Sequence, residues 1–261
     1  MASTSFETLG SPPSSGSAPR AAVVVLAGGT GTRAGAGVGK VYRPVAGVPL
    51  VMHSLWAAAR VPTVARLLLV VKADDHALAS RVVTEHAGLA RGLTVEIVTG
   101  GSTRHGSEWA ALCHLAPTIE SGEVDVVALH DGARPAADTA LFTAVIRTAW
   151  RHGGALPTTD ADDVVALGAD GHLRPAVASA ALPAGLRLAR VQTPQAFQAR
   201  PLLAAYRTAA KQAFEGTDTA SCVARYTDLA IRAVRGSAGN LKVTYSDDVA
   251  AATRALGRPQ P

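Results

Sequence analysis

The sequence predicts an open, mostly parallel α/β sheet, and three observations carry that expectation. Continuous apolar, β-branched runs recur along the chain, helical stretches fall between them, and 261 residues suit one large domain or at most two small ones. The first run, residues 22–26, is unbroken Ala, Val and Leu ending at glycines, as expected of a strand buried on both faces of a parallel sheet. A helical stretch at 51–59, rich in Ala with Leu, Met and Trp, leads to a second such run at 65–71. Strand, helix, strand makes a βαβ unit. Further strands are expected at 94–98, 124–129, 154–157 and 230–234, and helices at 77–85, 107–115, 139–150 and 201–214. Asp247 and Asp248 are placed to open a final helix. Residues 160–191 break the rhythm, with short apolar pieces separated by Gly and Pro and no 3.6 period. An extended hairpin leaving the main sheet is expected there. Residues 1–20 are rich in Ser, Pro and Gly, lack a basic segment followed by an apolar one, and are expected to be a disordered tail. The expected organisation is one domain over 21–256 with an inserted β-arm at about 158–191.

Composition narrows the function. Hydrophobic residues make up 48% and charged residues 17%, which places the chain among globular proteins and away from disordered ones. Apolar runs such as 67–71 fall far short of the ~20 residues that span a bilayer, so no membrane partner is expected. Cys113 and Cys222 make neither a disulfide framework nor a paired CxxC zinc site, which suits a reducing cytoplasm. The net charge of +5 suggests an anionic partner. Aromatics are only 4% and the arginines are scattered, which argues against nucleic acid and for a phosphorylated small molecule.

The first strand runs into LAGGTGTR, residues 26–33, a glycine-rich turn at the carboxyl end of a parallel strand where doubly wound, Rossmann-like sheets bind ligands. Glycines let backbone N–H groups approach phosphate oxygens and form a nest for negative charge. A plain tight strand-to-helix turn accounts for the same residues. The stretch from Gly29 to Ala34 also fits the dinucleotide fingerprint GxGxxA, but the acidic residue due ≈ 20 positions on is missing. The next acids are Asp74 and Asp75, and the loop is followed instead by Arg33 and Lys40, two cations suited to a triphosphate. No GKS or GKT follows the glycines, which excludes a P-loop.

Three other stretches carry candidate chemistry. HDGARP, residues 130–135, closes a buried strand with Asp131, placed to hold Mg2+, and Arg134, placed either to tie the loop down or to meet substrate. An Asp-Gly turn with a surface ion pair is the plainer alternative. GGSTRHGS, residues 100–107, lies between a strand and a helix, with Ser107 a plausible helix cap. NLKVT, residues 240–244, places Lys242 in a β-like context, and VQTPQAF, residues 191–197, is extended because Pro194 disfavours helix at Thr193. His130 is read as structural.

Taken in order, LAGGTGTR, GGSTRHGS, HDGARP, VQTPQAF, TDTAS and NLKVT resemble the motif series of the 2-C-methyl-D-erythritol 4-phosphate cytidylyltransferases of the non-mevalonate isoprenoid pathway. The resemblance implies a nucleotidyltransferase, GT-A-like version of the sheet that joins CTP to a polyol phosphate with Mg2+, working as a homodimer through the arm. It places Ala27, Gly28, Gly29 and Gly31 around the CTP phosphates, and Arg33, Lys40 and Lys242 at the transferred phosphate. It implies that Gly101, Ser102 and Ser107 read the cytosine, that Asp131 positions metal and acceptor, and that Arg134 and Thr193 lie on the acceptor side. In-line attack on the α-phosphate needs positioning and charge neutralisation and no covalent enzyme intermediate.

Two departures stand out. The family's Pro-Lys-Gln after the glycine loop is replaced by the neighbours Gly39 and Val41 around Lys40. The arm positions expected to hold the acceptor phosphate read Asp162, Asp163 and Val164, then Ala184, Gly185 and Leu186, with Arg187 and Arg190 as the available substitutes. The nucleotide half therefore matches better than the acceptor half. This leaves a ribitol 5-phosphate or other polyol-phosphate cytidylyltransferase as the alternative of the same class. A silent nucleotide-binding paralogue and a dinucleotide-dependent oxidoreductase are the rivals of other classes.

Overall fold

A computed structural model describes residues 18–29, 39–86, 92–161, 166–167, 173–174 and 186–257. The chain opens with β1 (Ala21–Leu26), then a tight hairpin of β2 (Pro44–Val45) and β3 (Val48–Pro49). Its turn is Ala46-Gly47, both at positive φ. Helix α1 (Leu50–Ala59), β4 (Val64–Val71), α2 (His76–His86), β5 (Val95–Thr99), α3 (Arg104–Glu120) and β6 (Val126–Asp131) continue the alternation. Next come α4 (Thr139–His152), β7 (Gly153–Asp160), β8 (Ala166–Leu167), β9 (Leu173–Arg174), β10 (Ala189–Val191) and β11 (Gln195–Gln198). The chain closes with α5 (Ala199–Lys211), α6 (Thr219–Tyr226), β12 (Ala230–Arg235) and α7 (Asp248–Leu256).

The main sheet runs β10-β7-β11-β6-β1-β4-β5, with β12 also paired to β7. Strands β6, β1, β4 and β5 are mutually parallel, and β11 inserts antiparallel between β6 and β7. The period of two along each strand sorts side chains to opposite faces. Ala21, Val23 and Val25 of β1 pack with Val51 and Leu55 of α1 and Phe142 and Ile146 of α4. Ala22 and Val24 face the other way, into Leu112 and Leu115 of α3, Leu202 and Tyr206 of α5 and Cys222 of α6. Two cores thus hold the sheet between helical layers, which explains the unbroken apolar runs. Strands β8 and β9 form a separate antiparallel pair within the 158–191 stretch.

Several expectations need correction. Arg20, placed in the expected tail, is hydrogen-bonded just before β1 to the turn before β6: its N–H donates to Asp125 Oδ2 at 2.8 Å, and its carbonyl accepts from Asp125 N–H at 2.8 Å. Residues 1–17, Gly31, Arg33, the 162–164 stretch, Ala184 and Gly185 lie outside the described residues. Helix α3 begins three residues before Ser107, because Thr103 Oγ1 accepts the Gly106 N–H at 3.0 Å and so caps it. The 240–244 segment is extended but joins no strand; Val243 N–H donates to Ala133 O at 2.8 Å. Residues 191–197 include a true sheet strand, β11. Helix α6 was not expected, although Asp218 and Ser221 form a capping box at its start.

Asp218 also accepts from Gln195 Nε2 at 3.0 Å, tying α6 to β11. Asp218→Ala is expected to lower stability by about 1–2 kcal/mol in urea unfolding, the upper part of the range for a lost cap. A change within error of zero would show that neither bond stabilises α6.

Candidate active site

Strand β1 pairs with β4 on one side and β6 on the other, and Leu26 sits level with Asp131. The chain runs outward in opposite directions from β1, so its carboxyl end is a topological switch point, the usual crevice of open α/β sheets. A cavity of about 630 Å³ opens there. The loop after β1 contributes Gly28 and Gly29, the loop after β5 contributes Ser102 and Thr103, and α3 contributes Arg104 and Ser107. Asp131 closes β6 and Ala133 follows it, Lys40 enters from the turn before β2, and Lys242 and Thr244 complete the lining.

The two glycine turns are built to lie close together. A Cβ on Gly101 would come within 2.7 Å of the Gly106 carbonyl carbon, so the turn into α3 closes only with glycine there. Ser107 Oγ donates to Thr103 O at 2.9 Å and to Gly101 O at 3.3 Å. A Cβ on Gly28 would lie 3.5 Å from that same Oγ, so the first loop packs close against the second. Ala27 lies behind the cavity, 2% exposed, with its N–H on Val70 O.

Asp131 is the electrostatic centre. Its Oδ2 lies 2.8 Å from Lys242 Nζ and 3.9 Å from Arg134 Nε, while Oδ1 accepts from Arg104 Nε at 3.2 Å. Burial works against its charge, but Arg104, Lys242 and Arg134 outweigh burial and hold the carboxyl well below the usual range. The group is therefore ionised at neutral pH.

A buried polar lattice holds Asp131 in place. Its N–H donates to Thr193 Oγ1 at 3.0 Å, and that hydroxyl also meets His130 Nδ1 at 3.1 Å. His130 Nε2 lies 3.2 Å from Arg134 O, which can only accept. Ser54 Oγ joins the same cluster, 3.1 Å from Nε2 and 3.3 Å from that carbonyl, so both ring nitrogens are engaged. Burial pushes the His130 pKa down to about 4, so the ring stays neutral and is a structural link. Arg134 Nη1 donates to Asn240 O at 2.7 Å, and Asn240 Nδ2 donates to Thr193 O at 3.0 Å. These bonds, with Val243 N–H on Ala133 O, suspend Lys242 over Asp131. Asp248 Oδ2 then accepts from Thr244 N–H at 2.7 Å and Tyr245 N–H at 2.8 Å, closing the turn beyond Lys242.

Of the residues expected in the site, Gly28, Gly29, Lys40, Ser102, Ser107, Asp131 and Lys242 line one cavity. Ala27, Gly101, Arg134 and Thr193 stand behind it: Arg134 ties the loop down, and the Thr193 hydroxyl is committed to Asp131 and His130. On the acceptor side, Arg187 Nη1 is ion-paired with Asp160. Sequence reasoning missed Arg104, although an arginine opening the helix after a glycine turn was the available signal. Among the described residues no group of three His, Cys, Asp or Glu side chains can hold a metal alone. One ionised carboxylate beside a cationic phosphate site suits Mg2+, which binds through one or two carboxylates together with substrate phosphates.

A model of the 2-C-methyl-D-erythritol 4-phosphate cytidylyltransferases (IspD) matches residues 21–258. A protein of that name from Cereibacter sphaeroides is 36% identical over 235 residues, covering 90% of this chain and 96% of its own. One from Solibacter usitatus is 34% identical over 88% of this chain and 93% of its own. Among solved structures, 4-diphosphocytidyl-2C-methyl-D-erythritol synthase from Anaerococcus prevotii superposes with a TM-score of 0.74 at 23% identity, covering 92% of this chain and 97% of its own. The Thermus thermophilus cytidylyltransferase gives 0.65 at 25% identity, covering 90% and 98%. With the sheet, the switch-point cavity and its charged residues in place, this chain belongs to the 2-C-methyl-D-erythritol 4-phosphate cytidylyltransferase family.

Proposed function

We propose that this chain transfers the cytidylyl group of CTP to 2-C-methyl-D-erythritol 4-phosphate, giving the CDP-polyol and pyrophosphate. The single observation that carries the reading is the meeting of Arg104 and Lys242 on one ionised carboxylate, with Lys40 lining the same switch-point cavity, in a chain from this family. A phosphate oxygen of the acceptor attacks the α-phosphorus, the bond to the β-phosphate oxygen breaks, and pyrophosphate leaves with the electron pair. The acceptor phosphate is already ionised at neutral pH, so no general base is needed, in keeping with a neutral, enclosed His130.

The protein's part is positioning and charge. The backbone at Gly28 and Gly29 would face the phosphates, Ser102 and the turn held by Ser107 would bound the base, and Lys40 and Lys242 would neutralise charge on the transferred and leaving phosphates. Arg33 would join them from the first loop. Asp131 would hold Mg2+ together with the CTP phosphates, where the ion supplies further charge neutralisation. A homodimer is proposed on the exposure of Leu186 (62%) and Val191 (49%) in the arm. A cytoplasmic site of action is proposed on two unpaired cysteines.

The test is pyrophosphate release by the purified protein with CTP and Mg2+, with methylerythritol 4-phosphate and ribitol 5-phosphate run in parallel. Release with the first alone is expected; release with the second alone would overturn the acceptor assignment. Lys40→Ala should lower kcat by about 10²–10³, a loss typical of a deleted transition-state donor, while CTP affinity changes far less. Equal losses in both would remove that role. Asp131→Asn should raise the Mg2+ concentration needed for half-maximal rate without unfolding the protein, and an unchanged Mg2+ dependence would exclude Asp131 as the ligand.

A further inference from the structure

Helix α3 carries a second carboxylate that the proposed reaction does not use. Glu108 is fully buried, one turn after Arg104. Its Oε1 accepts from Arg104 Nη1 at 2.6 Å and from Thr219 Oγ1 of α6, and its Oε2 accepts from Tyr206 OH of α5 at 2.7 Å. Tyr206 remains a phenol and hence a donor, because burial and then the neighbouring Glu108 push its pKa far up. Three helices each supply one donor to a single buried side chain. An enclosed carboxylate is costly unless it is paired and hydrogen-bonded, and an apolar residue in the same place among Ala111, Leu112 and Cys222 would avoid that cost. Burial pushes the Glu108 carboxyl up, and the Arg104 charge with the two hydroxyls pulls against it.

Arg104 is therefore shared. Its Nη1 is held by Glu108 inside the protein, and its Nε reaches the Asp131 Oδ1 that opens to the cavity. Released from Glu108, the guanidinium fork would be free to close on both oxygens of Asp131, the geometry that arginine and carboxylate prefer. That would occupy the one cavity carboxylate and withdraw a cation from the nucleotide space. Resting on the cytidylyl-transfer reading, we propose that Glu108 is a positioning residue for the nucleotide site: it anchors Arg104 so that the guanidinium spans from α3 to the cavity and engages one oxygen of Asp131.

The test is a double-mutant cycle with Glu108→Gln, Arg104→Met and the pair. CTP affinity is read by calorimetry with and without Mg2+, together with kcat and KM for pyrophosphate release and the thermal midpoint. Glu108→Gln is expected to weaken Mg2+-supported CTP binding by about tenfold in the native background and to change it no further when Arg104 is already Met. Equal loss in both backgrounds would make Glu108 merely structural, and no loss in the native background would overturn the proposal outright. Should Glu108→Gln fail to fold, Tyr206→Phe loosens the same carboxylate and is judged by the same non-additivity. Wild-type protein that neither binds CTP nor releases pyrophosphate would sink the functional reading itself. Normal wild-type turnover with an unaffected Glu108→Gln variant would sink only the role of Glu108.

Discussion

A single carboxylate held ionised at the end of a buried strand is the constraint around which the rest of this structure is arranged. Asp131 is the last residue of β6, where burial alone would neutralise it. Arg104 from α3, Lys242 from the 240–244 segment and Arg134 from the following turn bring enough positive charge to reverse that tendency. Each of those cations is itself held, by Glu108, by the Asn240 lattice and by the Asn240 carbonyl. The result is a polar cluster set in place before a ligand arrives, the arrangement through which electrostatic stabilisation acts without reorganisation cost.

Much of this was legible because it is local. Residues 22–26 and 67–71 read as doubly covered strands because their side chains are apolar throughout, and the two cores show why. Gly28, Gly29, Asp131 and Lys242 were legible because they follow strand ends or lie in short motifs, and all four line the cavity. The illegible parts depend on contacts across the sequence. Thr193 looked like a substrate contact, yet its hydroxyl is used by Asp131 and His130 some sixty positions away. Arg104 and Glu108 together resemble an exposed i,i+4 helix pair, and only the packing of Tyr206 and Thr219 encloses the glutamate. Strand β11 is four residues long, too short for a period of two to declare itself.

The cavity end of the sheet is organised differently from the 158–191 stretch. Around the cavity, Ser107, Asp131 and Lys242 are each tied by a hydrogen bond or ion pair to neighbours at the sheet edge. In that stretch, Arg187 is an exposed side chain paired with Asp160 at the end of β7, and β10 is exposed along its length. The physical contrast is between a site fixed by the core and a surface segment that packing constrains least.

The most direct measurement is a crystal structure of the protein with CTP and Mg2+. The account predicts the triphosphate in the cavity above β1 and β6, the metal against Asp131 and the phosphates, Lys40 and Lys242 turned toward the phosphates, and Arg104 still held by Glu108. A nucleotide seated elsewhere, or a metal bound without Asp131, would contradict it.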